Sequence, residues 1–117
     1  TGDRPIVSRL FQTRRGGFEE SFVIQNNPYR PSQGAAQFEY ELNEPSAVEF
    51  RVFTVTGEAV YNRAFRQGEN GTFTGVNRIE WDGCNDEGDL VGSGVYIAVI
   101  EVASTGEQAR MKVAVIR

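Results

Sequence analysis

Asp82, Asn85, Asp86, Glu87 and Asp89 crowd five oxygen-bearing side chains into the eight positions from 82 to 89. Carboxylate and amide oxygens are the donors calcium takes, so Asp82, Asn85, Asp86 and Asp89 form a candidate calcium set. Paired carboxylates also serve glycoside hydrolysis, where they must flank a bound sugar. The spacing is not that of the helix-loop-helix calcium loop, and no pocket-forming loop accompanies the acids. A simpler demand fits the same residues together with Gly83 and Gly88. Asx side chains bond their own backbone, and glycine supplies the left-handed conformation of a tight reversal. The expectation is a bare turn with no metal and no cofactor.

The chain has no histidine and one cysteine, Cys84. Ser-His and Cys-His nucleophiles are therefore excluded, zinc would have to rely on carboxylates, and no internal disulfide can form. No catalytic residue is expected. Trp81, Tyr29, Tyr61, Phe65 and Phe73 could stack on sugar rings. Trp81, however, alternates with Ile79 on what should be a core face, which makes it a packing residue. Phe65 and Phe73 flank a glycine-rich loop and would form a binding patch if exposed. The formal charge of −4 and the scattered arginines, Arg51, Arg63, Arg66 and Arg78 among them, show no basic face for nucleic acid. Asn70-Gly71-Thr72 fits both a glycosylation acceptor and a tight Asn-Gly turn. No apolar run is long enough for a membrane-spanning helix.

The elements that must position these residues read as strands. Gln37 to Leu42 alternates, with Phe38, Tyr40 and Leu42 inward and Glu39 and Glu41 outward. Ala47 to Val55 places Val48, Phe50 and Val52 on one face, with Phe53 and Val55 adding apolar character to the other. Thr56-Gly57-Glu58 turns the chain back through Glu58 to Phe65, making a hairpin. Phe18 to Gln25 reads as the first strand, Asn26 to Pro31 as a rigid turn that forbids regular pairing, and Arg66 to Val76 as an exposed loop. Arg78 to Val102 reads as a central hairpin: a strand ending at Trp81, the acidic turn, and Val95 to Val102 covered on both sides. Gly94 is expected at a positive φ or against another backbone. Gln108 to Ile116 closes the chain with Met111, Val113 and Val115 inward. Residues 1–17 read as a linker or short strand and 18–117 as an all-β antiparallel β-sandwich of seven or eight strands. A chain of this length buries roughly 65% of its unfolded surface, enough for one core.

Trp81-Asp82-Gly83, Gly88 and Gly94-Val95-Tyr96 resemble the WDG…G…SGVY signature of the immunoglobulin-like domain of flagellar hook-cap proteins and of C-terminal sorting domains in type IX secretion cargo. The likeness runs from about Asn27 to Arg117. Asn27-Pro28-Tyr29-Arg30-Pro31 resembles the NPxxP opening, and Arg110-Met111-Lys112-Val113 the basic last strand. Thr54-Val55-Thr56 departs from the family's aromatic and acid at that place. The resemblance implies the immunoglobulin-like form of the sandwich and a non-catalytic module at the end of an exported protein, secreted or held at the cell surface of a Gram-negative bacterium. Its partners would be the outer-membrane secretion machinery and an upstream domain of the same polypeptide. Asn27, Pro28, Pro31, Gly94, Tyr96, Arg110, Lys112 and Arg117 would carry recognition, and Trp81, Asp82, Gly83 and Gly88 the framework. A hook-cap-like assembly role and a carbohydrate-binding or adhesive sandwich appended to an enzyme are the alternatives. The opening at Thr1 suggests a piece of a longer exported protein.

Overall fold

The computed structural model describes residues 17–117, so the expectations for residues 1–16 lie outside the described residues. The chain forms a short helix α1 (Gly17–Ser21) and seven strands: β1 (Val23–Ile24), β2 (Ala36–Leu42), β3 (Val48–Thr54), β4 (Ala59–Phe65), β5 (Gly75–Trp81), β6 (Gly94–Val102) and β7 (Gln108–Val115). A three-stranded sheet, β1-β2-β5, packs on a four-stranded sheet, β4-β3-β6-β7, and every strand pairing is antiparallel. This is an immunoglobulin-like β-sandwich, as the alternating strands and the resemblance together lead one to expect.

Alternation fixes which side chains meet between the layers, because a one-residue slip would turn each apolar set outward. Phe38, Tyr40, Ile79 and Trp81 of the smaller sheet are buried against Phe50, Val52, Ala98, Ile100, Val113 and Val115 of the larger one. The Phe38 and Phe50 rings lie 5.0 Å apart across the interface. Trp81 is 1% exposed and sits among three tyrosine rings, Tyr29 at 6.0 Å, Tyr61 at 6.2 Å and Tyr96 at 6.4 Å. Its indole N–H donates to the Cys84 carbonyl at 2.8 Å, so the polar end of a buried ring is satisfied.

Several expectations are corrected. Phe18 to Gln25 is not one strand, because its first residues coil into α1 and only Val23 and Ile24 pair with β2. Residues four apart on a helical turn share a side, which seats Phe18 edge-on to Tyr40 at 6.3 Å and stacks Phe22 on Phe38 at 5.7 Å. The stretch from Arg78 to Val102 is not a hairpin. β5 pairs with β2 and β6 with β3 and β7, so the acidic turn carries the chain from one layer to the other. β6 is central in its sheet, but its outer face is covered unevenly, for Val99 is 6% exposed and Ile97 half-buried while Val95 is 44% exposed. Val55 is exposed as well.

The loop expected over Arg66 to Val76 is not wholly exposed, for Gly71 and Thr72 are buried and β5 begins at Gly75. Gly71 has φ +94°, and a Cβ there would lie 2.7 Å from Tyr40 Oη and 2.9 Å from Ile79 Cγ2. Gly94 has a positive φ of +157°, near the extended limit, and a Cβ there would meet nothing within 4 Å, so close approach to another backbone is not its role. It ends the loop before β6. Among the described residues no helix is long and apolar enough to cross a membrane.

Candidate functional site

The acidic turn spends its oxygens on backbone. Asp82 accepts from the Cys84 N–H at 3.0 Å, and one Asn85 oxygen accepts from the Glu87 and Asp89 N–H groups at 3.0 and 2.9 Å. Asp86 reaches across to β4, its carboxylate accepting from Asn62 N–H and its own N–H donating to the Val60 carbonyl, both at 3.0 Å. These are the Asx bonds of a reversal, and they tie the turn to the free edge of β4. Among the described residues no three acidic, histidine or cysteine side chains converge as a metal site would require. Partial burial, followed by the charge of Asp82, pushes the Cys84 thiol pKa up, which keeps it protonated and weakly nucleophilic.

The segment read as a turn that forbids pairing is instead a strap on the last strand. Tyr29 N–H donates to the Ala114 carbonyl at 2.7 Å, and Ile116 N–H donates to the Tyr29 carbonyl at 2.9 Å, a parallel bridge to Val115. The Asn27 amide completes the contact, accepting from Ala114 N–H at 3.1 Å and donating to the Lys112 carbonyl at 3.3 Å. Tyr29, 0% exposed, anchors the strap from below, its hydroxyl donating to the Gly34 carbonyl at 2.9 Å. Burial pushes its phenol pKa above the ordinary tyrosine value. Gly83, at φ +83°, completes the lock. A Cβ there would stand 3.2 Å from Pro31 Cγ and 3.3 Å from the Tyr29 ring, so a side chain would be strained at this φ and would push the NPYRP strap away from the WDG turn by a few tenths of an ångström.

The residues named from resemblance thus divide into two groups. Asn27, Pro28 and Pro31 lie in or beside the strap, and Gly94 and Tyr96 stand opposite Val115 and Val113 on β6. Tyr96 is half-buried, its hydroxyl donating to the Gly92 carbonyl at 2.8 Å. Arg110, Lys112 and Arg117 are exposed, the first two along β7, which is the edge of the larger sheet. Gly88 lies in open space within the turn. Sequence reasoning missed the roles of Tyr29 and Asp86, whose partners lie 85 and 24 positions away and leave no local pattern.

A groove of about 410 Å³ between the β4 and β5 edges is lined by Arg63, Phe65, Arg78 and Ile79 among others. It offers no aromatic platform, because Phe65 is 5% exposed and the Arg63 guanidinium covers its ring at 4.7 Å. Phe73, 52% exposed, is the expected patch reduced to one ring. Arg78 is itself engaged by Glu39 at 2.7 Å.

No protein-family model and no curated protein matches the sequence. Solved structures do match, among them proteins of the two groups that the signature resembles and an endoglucanase from Alicyclobacillus acidocaldarius, the last with TM-score 0.54 at 14% identity over 83% of this chain and 15% of that one. A part of PorU from Porphyromonas gingivalis, described in its dimeric latent form, superposes with TM-score 0.64 at 24% identity, over 81% of this chain and 9% of that one. PorZ, an essential surface component of the type IX secretion system of the same organism, gives TM-score 0.58 at 19% identity over 84% of this chain and 12% of PorZ. FlgD from Xanthomonas campestris, the flagellar hook-capping protein, gives 0.52 at 18% over 83% and 63%. The chain therefore spans a small part of the two secretion proteins and under two thirds of the hook-cap protein. At these identities the likeness is one of fold: an immunoglobulin-like sandwich of the kind found in all three.

Proposed function

We propose that this domain is a non-catalytic sorting and surface-attachment module of an exported bacterial protein, read by outer-membrane secretion machinery through its last strand. One observation carries the reading. The NPYRP segment and the basic strand β7, the two stretches that set the sorting form apart, are joined by four hydrogen bonds, two from Asn27 and two at Tyr29. A translocon needs a rigid shape to read rather than a reactive group, and the strap holds Arg110, Lys112 and Arg117 on such a shape. The absence of histidine and the protonated Cys84 are in keeping with a role without chemistry. On this reading the protein is secreted or surface-held, with an upstream domain as the cargo.

The test fuses the whole 117-residue chain behind a reporter with a signal peptide, in a host that has a type IX pathway. The whole chain is needed because Phe18 and Phe22, upstream of the Asn27 resemblance, belong to the core. The reporter is expected at the cell surface or in the medium. Retention in the periplasm overturns the reading and leaves the assembly role, which the hook-cap fold favours.

A further inference from the structure

We propose that the outer face of the larger sheet pairs with the same face of a second copy of this chain, in a two-fold dimer whose axis runs along the strands. An antiparallel sheet with one face on the core normally turns polar residues to water on the other. The smaller sheet does so: its outward positions are Gln37, Glu39 and Glu41 on β2 and Arg78 and Glu80 on β5, with only Val76 and Val23 between them. The larger sheet departs from that rule. Outward positions of its two central strands are Phe53 on β3 and Val95, Ile97 and Val99 on β6, and Val55 extends the row just past β3. Val55 is 63% exposed, and Phe53 and Ile97 are half-buried. The helix α1 lies against β2 and β7 with its rings turned to Tyr40 and Phe38, at the side of the sandwich rather than over this face. A contiguous exposed apolar patch of this kind marks an interface.

Charge selects the occupant. The strand registers place Arg110 of β7, Val99 of β6, Arg51 of β3 and Asn62 of β4 in one row across the sheet. A cation stands at the β7 end of that row. At the β4 end stands exposed Asp86, whose carboxylate accepts from Asn62 N–H at 3.0 Å. A two-fold axis along the strands lays β7 over β4 of the other copy and β3 over its β6, and keeps each row over itself. Arg110 then meets Asp86 of the second copy, twice by symmetry, while Phe53 covers Ile97 and Val55 covers Val95. An acidic partner would answer the β7 side alone and a basic one the β4 side alone; a second copy answers both in register. The one unfavourable meeting is Glu49 over Glu101 in the next row, and each copy's Arg51 already pairs with both of these acids. Face-to-face sheets pack with strands nearly aligned, which this axis permits. Four strands about 4.8 Å apart and about 24 Å long offer roughly 450 Å² in plan, the low end for a specific interface, so the dimer is a transient one.

The pairing does not rest on the sorting reading. Sedimentation equilibrium of the whole chain, loaded from about 5 to about 500 μM, is expected to show the mass rising with concentration from 13.0 kDa towards twice that value. Val55→Glu with Val95→Glu, both at exposed positions, should weaken association by about tenfold or more, because it sets charges in the apolar centre. Arg110→Glu and Asp86→Lys should each weaken it by about tenfold, in proteins of unchanged near-ultraviolet circular dichroism. Mixing these two variants is the decisive arm, because in the mixed dimer both edge contacts again join opposite charges. Association of the mixture close to that of the unaltered chain is expected, and a mixture as weak as its components overturns the two-fold arrangement. A chain that stays monomeric throughout the range, or a dimer indifferent to Val55→Glu with Val95→Glu, overturns the proposal and leaves the face to a different partner. An exported reporter on a chain that stays monomeric removes pairing and keeps sorting. A dimer that is not exported keeps pairing and removes sorting.

Discussion

Trp81 shows how one residue can serve two layers. Its ring is surrounded by Tyr29, Tyr61 and Tyr96 and its N–H is bonded to Cys84, so truncation would empty a site that three rigid neighbours cannot refill. Trp81→Ala is expected to cost about 3–5 kcal/mol in chemical denaturation. A loss below about 1 kcal/mol would mean that the ring is not a core element. Gly71 and Gly88 make a sharper comparison, since both have positive φ, +94° and +89°, and only Gly71 is crowded. Alanine at either position incurs left-handed strain of about 1–2 kcal/mol. Gly71→Ala must also displace Tyr40 Oη and Ile79, and should lower the denaturation midpoint well beyond Gly88→Ala. Equal effects would show that the Tyr40 hydroxyl moves aside freely.

Among the elements, the connections hold more of the design than their composition suggests. Asp86 closes the β4 edge by accepting from Asn62 N–H and donating to Val60, so Asp86→Ala should speed amide hydrogen exchange at Asn62 by about tenfold, a loss of about 1.4 kcal/mol of local protection. Exchange at Phe50 on the neighbouring central strand should not change; an Asn62 rate equal to wild type would refute the clamp. The strands β2, β3 and β7 were legible because period-two alternation is a local signal that one-sided burial enforces, whereas β4 was placed by the Thr56-Gly57-Glu58 turn and β6 by its continuous apolar run. The strap, the clamp and the layer crossing were not legible. Their hydrogen bonds join Asn27 to Ala114 and Asn62 to Asp86 across long separations, and side chains that bond backbone carry no periodicity. The same loss of information hid α1, where Phe18 and Phe22 fit a helical turn as well as a strand end. Of the candidate site, resemblance named the NPYRP segment and the last strand, and only the fold disclosed that they touch.

At the scale of the whole molecule, the two sheets close over aromatic rings whose hydroxyls are buried with them, and this sets how the domain responds to pH. Burial pushes the Tyr40 phenol far above its ordinary value, and Tyr29 is raised for the same leading reason. Tyr40 donates to the Gly71 carbonyl at 2.6 Å, a bond that requires the proton. The folded state therefore holds these protons more tightly than the unfolded chain does. Their contribution is fully present below the unfolded tyrosine value of about 10 and is lost as pH rises beyond it. Stability should change little with these groups through neutral pH and fall steeply above about pH 10, as ionisation in the unfolded chain draws the layers apart. Tyr40→Phe separates the causes. At pH 7 it removes one hydrogen bond and should cost about 1 kcal/mol, leaving the Gly71 carbonyl unpaired. Above about pH 10 the variant should lose less with each further step than the wild type, so that their denaturation midpoints converge. Parallel decline of the two proteins would place the alkaline sensitivity elsewhere and remove the buried phenol from the account of how the layers stay closed.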